Sequence, residues 1–231
     1  MVRNLNIRSK GAKISANKRR QRLSRLAARR GERAQSRALA RQLAILRAAA
    51  RAFRARGFSA TGMRDIAREA DLSLGNLYYY FQSKVELLYF CQDYSLDRML
   101  RAARQATTGP ARADARLRTV IEAQLRLMLD ELDGAAAHLE VDALPSSLRK
   151  RIVHKRDRYE RAVRKIIADG AIDRTFVRCD AALVTRAILG ALNWTARWYR
   201  PDGPKAPGEV AAAFADYLVR GLLVSGFERS L

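Results

Sequence analysis

Gly75 and Asn76 shortly precede three consecutive tyrosines, Tyr78, Tyr79 and Tyr80, and Ser83-Lys84 follow close behind. A helix turns about 100° per residue, so three adjacent tyrosines point in three directions and cannot share one core. At least one faces outward. The groups gathered here are a carboxamide, phenol hydroxyls and an ammonium. They are suited to hydrogen-bonding base edges and phosphates, and a glycine among them lets a backbone come close. The alternative for the tyrosines is an aromatic cluster joining one helix to the next.

Local spacing supplies elements to position these groups. Leu39, Leu43, Leu46, Ala50 and Phe53 recur every three or four residues and stop at Gly57, which predicts a first helix with a glycine terminus. Thr61 is the expected N-cap of a short second helix, whose Met63, Ile66, Ala67 and Ala70 share a face. Asp71 tolerates a left-handed turn, and Ser73 is placed to cap a third helix. In that helix Leu74 and Leu77 face inward with Phe81, leaving Gly75, Asn76 and Tyr79 on the other side. Ser83 and Glu86 form an S-x-x-E capping box, which puts Lys84 in the first turn of a fourth helix, where a phosphate is favoured. A packing helix, a short helix, a tight turn and a second short helix make a helix-turn-helix, whose last helix enters the major groove.

Residues 45–84 resemble the DNA-binding domain of TetR-type bacterial transcriptional repressors. The matching residues include Ile45-Leu46, Ala48-Ala49, Phe53, Gly57-Phe58, Thr61, Arg64, Ile66-Ala67, Ala70, Ser73, Gly75, Leu77-Tyr78, Phe81, Lys84 and Leu87-Leu88. The resemblance implies an all-α homodimer, with N-terminal domains reading the halves of a palindromic double-stranded operator and C-terminal helical bundles enclosing a small-molecule effector. Position by position it implies base contacts from Arg64, Asn76 and Tyr79, and phosphate contacts from Tyr78, Tyr80 and Lys84. Thr61, Ser73 and Gly75 complete the expected DNA-binding set. Asp71 stands where the family usually has glycine, and Tyr80 where histidine is common.

The net charge of +22 is concentrated at one end of the chain. Residues 1–35 contribute +11, residues 36–84 contribute +6, and the nearly balanced remainder contributes +5. A polyanion, nucleic acid or an anionic membrane surface, fits such a gradient. Three regions are therefore expected: a basic flexible arm at 1–35, a reading domain at 36–84, and an effector-binding and dimerisation domain at 85–231. The arm segment from Ala16 to Arg30 has the composition to become helical against a partner, although a solvated tail has the same composition. A rival function is non-specific nucleic-acid binding driven by this arm alone.

Beyond Lys84 the sequence reads as helices at about 83–106, 114–133, 135–144, 146–169, 179–200 and 209–226, with no strand pattern. Apolar residues cover most of the circumference of helix 179–200, including Leu183, Val184, Ala187, Leu192 and Trp194, which predicts burial on several sides. With helix 209–226 it has the composition of the four-helix dimer interface that the resemblance implies. Tyr94, Met128, Tyr159, Asn193 and Trp194 are the expected ligand-binding residues, with Met99, Leu125, Leu129 and Val163 on the same inward faces. The segment NWTARWYRPDG, from Asn193 to Gly203, is similar to a subgroup that senses acyl-coenzyme A thioesters. Arg151, Lys155, Arg158 and Lys165 form a basic helix face, for which a contact with a coenzyme A phosphate and a solvated face are the alternatives, the solvated face being favoured.

No catalytic chemistry is expected. His138 and His154 lack zinc-ligand spacing, and no G-x-S-x-G, P-loop or dinucleotide glycine motif occurs. Neither a metal nor a cofactor is expected. Cys91 and Cys179 suit a reducing compartment, and no run of eighteen apolar residues or leader-like segment is present, so a soluble, cytoplasmic protein that does not enter a membrane is expected.

Overall fold

A computed structural model describes residues 31–33, 35–53, 55–131 and 141–224. The arm segment Ala16–Arg30, His138, and most of the expected helix 135–144 lie outside these residues; of that helix only a single 3-10 turn, Val141–Ala143, is described. The chain divides into two compact units, Met1–Ala44 and Ile45–Leu231. In the first, residues 35–44 are helical, Leu39 is exposed and Leu43 is half-buried. The expected apolar stripe therefore becomes fully buried only in the second unit, from Leu46 through Ala50 to Phe53.

In that second unit, α1 (residues 45–53) buries Ile45, Leu46, Ala48 and Ala49 and is closed by Gly57, whose φ of +80° lets its N–H reach the Phe53 carbonyl at 2.7 Å. The reading elements are α2 (Met63–Glu69) and α3 (Leu74–Tyr80). Asp71 between them adopts φ +52°, the expected left-handed turn, and the Ser73 hydroxyl accepts the Asn76 N–H at 3.1 Å, the expected cap. The α2 N-cap is Gly62 rather than Thr61. The Asp65 carboxylate reaches back to the Gly62 N–H at 2.9 Å, so the side chain three residues on does the capping.

The body consists of α4 (Lys84–Thr108), α5 (Ala113–Arg126), α6 (Ser146–Ile172), α7 (Ala181–Trp198) and α8 (Pro207–Arg220). α5 leaves its α-helical pitch in a π-turn at Leu127–Glu131. Leu88, Cys91, Ser95, Met99 and Ala103 recur every three or four residues along α4 and bury the face that meets α5 and α6, as helical periodicity requires. α5 packs chiefly against α8, and α6 against α4, α5 and α7. Among the described residues no strand forms; one isolated bridge pairs Phe176 with Leu223. Both cysteines are free, and burial pushes the Cys91 thiol up to about 12.

Two expectations for the body change. Gly170 does not end α6, which runs on to Ile172, because Gly170 admits the Phe176 ring against the helix. Of α7, only Thr185, Ile188, Leu192 and Thr195 are buried, while Leu183 and Trp194 are more than 60% exposed in the single chain (63% and 64%). A Cβ at Gly170 would collide with the Phe176 ring and lie 2.8 Å from the Ala113 Cβ. Gly170→Ala should therefore cost about 3 kcal/mol, the upper range for overpacking a filled site, read as a lowered denaturation midpoint.

Candidate functional site

The α2–α3 pair is held from below. Ile66, Ala67, Leu77 and Phe81 are each at most 3% exposed. Full burial of a leucine such as Leu77 is worth about 2 kcal/mol, which fixes the rotation of α3 and hence what it shows to solvent. Its outer face carries Gly75, Asn76 and Tyr79, all exposed, with the Tyr79 ring at 80%. Tyr78 is 40% exposed on one flank, and half-buried Tyr80 lies edge-on to Tyr79 at 5.1 Å. The three tyrosines are thus spread around the helix, as their adjacency demands. Arg64 is exposed on α2, and Ser73 is exposed at the start of α3. No heavy atom lies within 4 Å of a Cβ placed on Gly75, so nothing inside the protein requires glycine there.

Thr61 and Lys84, both in the expected DNA-binding set, make bonds within the protein. Thr61 is 1% exposed, and its hydroxyl is shared between the carbonyls of Gly57 at 2.7 Å and Ala52 at 3.2 Å. The Lys84 ammonium donates to the carbonyls of Phe58 at 2.6 Å, Thr61 at 2.9 Å and Ser59 at 3.4 Å, and lies 4.3 Å from the centre of the Phe58 ring. An ammonium has three hydrogens to give, and these acceptors match them. Lys84 therefore ties the start of α4 to the loop before α2. The Ser83 cap forms as expected, but Glu86 accepts the Gln82 N–H at 2.7 Å, one residue earlier than a standard box.

Charge pairs brace the same region. Asp65 bonds Arg56 at 2.7 Å, and Arg51 meets Glu69 at 2.7 Å. The Gly62 N–H, then Arg56, hold the Asp65 carboxyl below its ordinary 3.8. With the folded value depressed, this contribution is present above the unfolded value and is lost as pH falls through the folded one.

A second feature is a cavity of about 380 Å³ between α4, α5, α6 and α7. Leu96, Met99 and Leu189 are its apolar lining, and Gln124, Arg156, Asp157, Tyr159, Glu160 and Asn193 its polar lining. Of the expected ligand-binding residues, Tyr159 and Asn193 line it. Tyr94 instead stacks on Phe90 at 6.1 Å, Met128 is buried behind the cavity wall, and Trp194 is exposed on the opposite flank of α7 from the buried face. Burial raises the Tyr159 phenol, keeping it a donor, and its hydroxyl bonds Gln124 at 2.9 Å. Burial lowers the Arg156 guanidinium from its ordinary value, and Arg156 donates to Gln92 at 3.4 Å.

The basic face of α6 is largely occupied. Lys155 bridges Asp93 and Asp97 of α4 at 2.7 Å each, Lys165 pairs with Asp169, and Arg151 lies over the Tyr89 ring. Burial alone would lower the Lys155 ammonium, but the bonds to Asp93 and Asp97 outweigh it and raise the value. Gln124 is legible in principle. It is a polar residue on the buried stripe Leu117, Ile121, Gln124, Met128.

Lys84→Met should leave the three carbonyls without their shared donor and lower the unfolding free energy by about 2 kcal/mol. Urea titration followed by far-ultraviolet circular dichroism measures this; an unchanged midpoint would show that the tie carries no weight.

The family model for bacterial regulatory proteins of the tetR family matches residues 45–89, and that for the tetracyclin repressor-like C-terminal domain matches residues 110–222. The HTH-type transcriptional repressor KstR2 of Mycobacterium tuberculosis is 27% identical over 185 residues, covering 79% of this chain and 92% of its own length. The crystal structure of PfmR, a TetR family transcriptional regulator from Thermus thermophilus, superposes with a TM-score of 0.67 at 34% identity, covering 76% of this chain and 97% of that one. The structure of the ketosteroid transcriptional regulator KstR2 of Mycobacterium tuberculosis gives 0.69 at 26% identity, covering 79% and 95%. Among the described residues no helix is long and apolar enough to cross a membrane. Since the reading helices and most of the helical body both fall within one group of transcriptional regulators rather than enzymes, the chain belongs to the tetR family of bacterial regulatory proteins.

Proposed function

We propose that this repressor reads a palindromic operator as a homodimer through α3 and is released when an amphiphilic small molecule occupies the cavity between α4 and α7. The observation that carries the reading is the outer face of α3, where Gly75, Asn76 and Tyr79 stand exposed while Leu77 beneath them is fully buried. A glycine that no neighbouring side chain crowds, at the start of an exposed helical face, leaves room for close approach to a groove floor. The Asn76 amide can pair bidentately with adenine, and the Tyr79 ring can meet a thymine methyl. Arg64 adds a base contact from α2, and Ser73, Tyr78 and Tyr80 reach for the flanking phosphates. Thr61 and Lys84 act from inside, by fixing the loop that presents α2.

Dimerisation through α7 and α8 is supported by a one-sided stripe. Leu183, Ala187, Gly190 and Trp194 on α7 are exposed at helical spacing, as is Tyr217 on α8. Pairing such faces would set two α3 helices about 34–36 Å apart, the separation of successive major grooves. Residues 1–35 form the arm of this arrangement, 36–84 the reading domain, and 85–231 the effector and dimer domain.

Release follows from sharing α4. Leu96 and Met99 line the cavity on the same helix whose first residue, Lys84, is tied to the loop ahead of α2. A ligand that prefers a displaced α4 lowers operator affinity by its differential binding energy. An acyl-coenzyme A thioester is the effector class favoured, from the likeness of Asn193–Gly203 to regulators that sense such thioesters; the relative KstR2, a ketosteroid transcriptional regulator by name, adds ketosteroids as a second candidate class.

Selection of bound duplexes from a random library should recover one palindrome with the full chain, and Asn76→Ala with Tyr79→Ala should lose it, each change weakening binding about tenfold or more. Equal binding by both proteins with no shared motif would transfer the function to the arm's charge. Deleting residues 1–35 should weaken binding to every duplex and flatten its salt dependence; unchanged binding at low salt would remove the arm from the interface.

A further inference from the structure

The cavity has a chemical direction that is set by one sulfur atom. Among its polar lining residues the Tyr159 hydroxyl donates to Gln124 Oε1 at 2.9 Å, and Gln124 Nε2 donates to Asn193 Oδ1 at 3.2 Å. The amide could in principle be reversed, because a phenol both donates and accepts and an asparagine offers either end. Met128 breaks the tie. Its Sδ lies 3.6 Å from Gln124 Nε2, and a thioether has lone pairs but no hydrogen to give. The amide nitrogen is favoured beside it; an amide oxygen there would face lone pairs with lone pairs. Once Gln124 is oriented, Asn193 Oδ1 is spent within the relay and its NH2 group retains hydrogens to give. Asn193, exposed in the single chain, lines the cavity together with Leu96 and Met99, so a donor and apolar side chains share one space.

Resting on the reading of this space as the effector site, we propose that it selects a molecule bearing a carbonyl oxygen, which accepts from the Asn193 amide while its hydrocarbon part lies against Leu96, Met99 and Leu189. Gln124 and Met128 are positioning residues. They fix which end of Asn193 meets the ligand without touching it through a hydrogen bond of their own. A purely hydrocarbon chain is disfavoured, because it would strip water from the exposed Asn193 amide without replacing the lost bonds.

The test is titration calorimetry with three molecules of one carbon skeleton, cyclododecanone, cyclododecanol and cyclododecane, the last measured by displacement of the ketone. The wild-type chain should bind the ketone about tenfold more tightly than the hydrocarbon. Asn193→Asp, which can only accept, should reverse the order of ketone and alcohol, an outcome that loss of packing alone would not produce. Met128→Leu keeps the volume but removes the sulfur, and should reduce the preference for ketone about threefold. S-methyl octanethioate against methyl octyl sulfide repeats the comparison for a thioester carbonyl and tells which carbonyl type is preferred. Equal affinities of the wild type for all three ring compounds, or an unchanged ketone preference in Asn193→Asp, would overturn the proposal while leaving an effector site. No binding by any probe, unaffected operator occupancy included, would remove the effector site and the proposal together. The wild-type comparison stands even if a variant fails to fold.

Discussion

The Lys84 ammonium sits where three backbone carbonyls of residues 58–61 converge, and the arrangement of the reading unit depends on it. Loops between short helices have few backbone bonds of their own, and α2 has only seven residues to hold itself in place. A charged donor shared by three acceptors fixes that loop more firmly than neutral bonds would. Thr61, buried beside it, donates to carbonyls at the end of α1 and just beyond it, those of Ala52 and Gly57. The loop is thus secured both to the helix before it and to the helix after α3.

That arrangement gives α4 two allegiances. Its first residue belongs to the reading unit, its middle carries Leu96 and Met99 into the cavity lining, and in that same stretch Asp93 and Asp97 are held by Lys155 of α6. These ion pairs are partly exposed, so each contributes little to stability by itself. Their effect is geometric. They make α4 follow α6, and α6 supplies Arg156, Tyr159 and Glu160 to the same cavity. A molecule wedged between the two helices works against a defined set of bonds rather than against a loose bundle.

The reading unit is largely legible in the sequence because its constraints are local. A left-handed Asp71, the Ser73 cap, the buried Leu77 and the Gly57 terminus all follow from neighbours a few residues away. Thr61 invites reading as a cap because threonine before a helix suits that role equally well; only the fold shows that Asp65 caps Gly62 and turns Thr61 inward. Lys84 stands at a helix start as its spacing predicts, but its bonds to the loop carbonyls are not legible in the sequence, since those carbonyls lie 23 to 26 residues earlier in the chain. The cavity is half legible. Tyr159 and Asn193 stand out in the sequence, whereas Gln124 and Arg156 come from separate helices whose facing is a tertiary matter. On α7, composition alone offers no way to distinguish a surface buried within one chain from one left open, as Leu183 and Trp194 are here.

Tyr79 keeps a large aromatic ring 80% in water, with Tyr78 partly exposed beside it. Hydrating apolar area raises heat capacity, so covering these rings lowers it. A surface that accepts them does so with an enthalpy that grows more favourable on warming and an entropy that grows less so. The affinity of α3 for whatever groove encloses it consequently passes through a maximum with temperature, a thermal optimum written into two phenol rings.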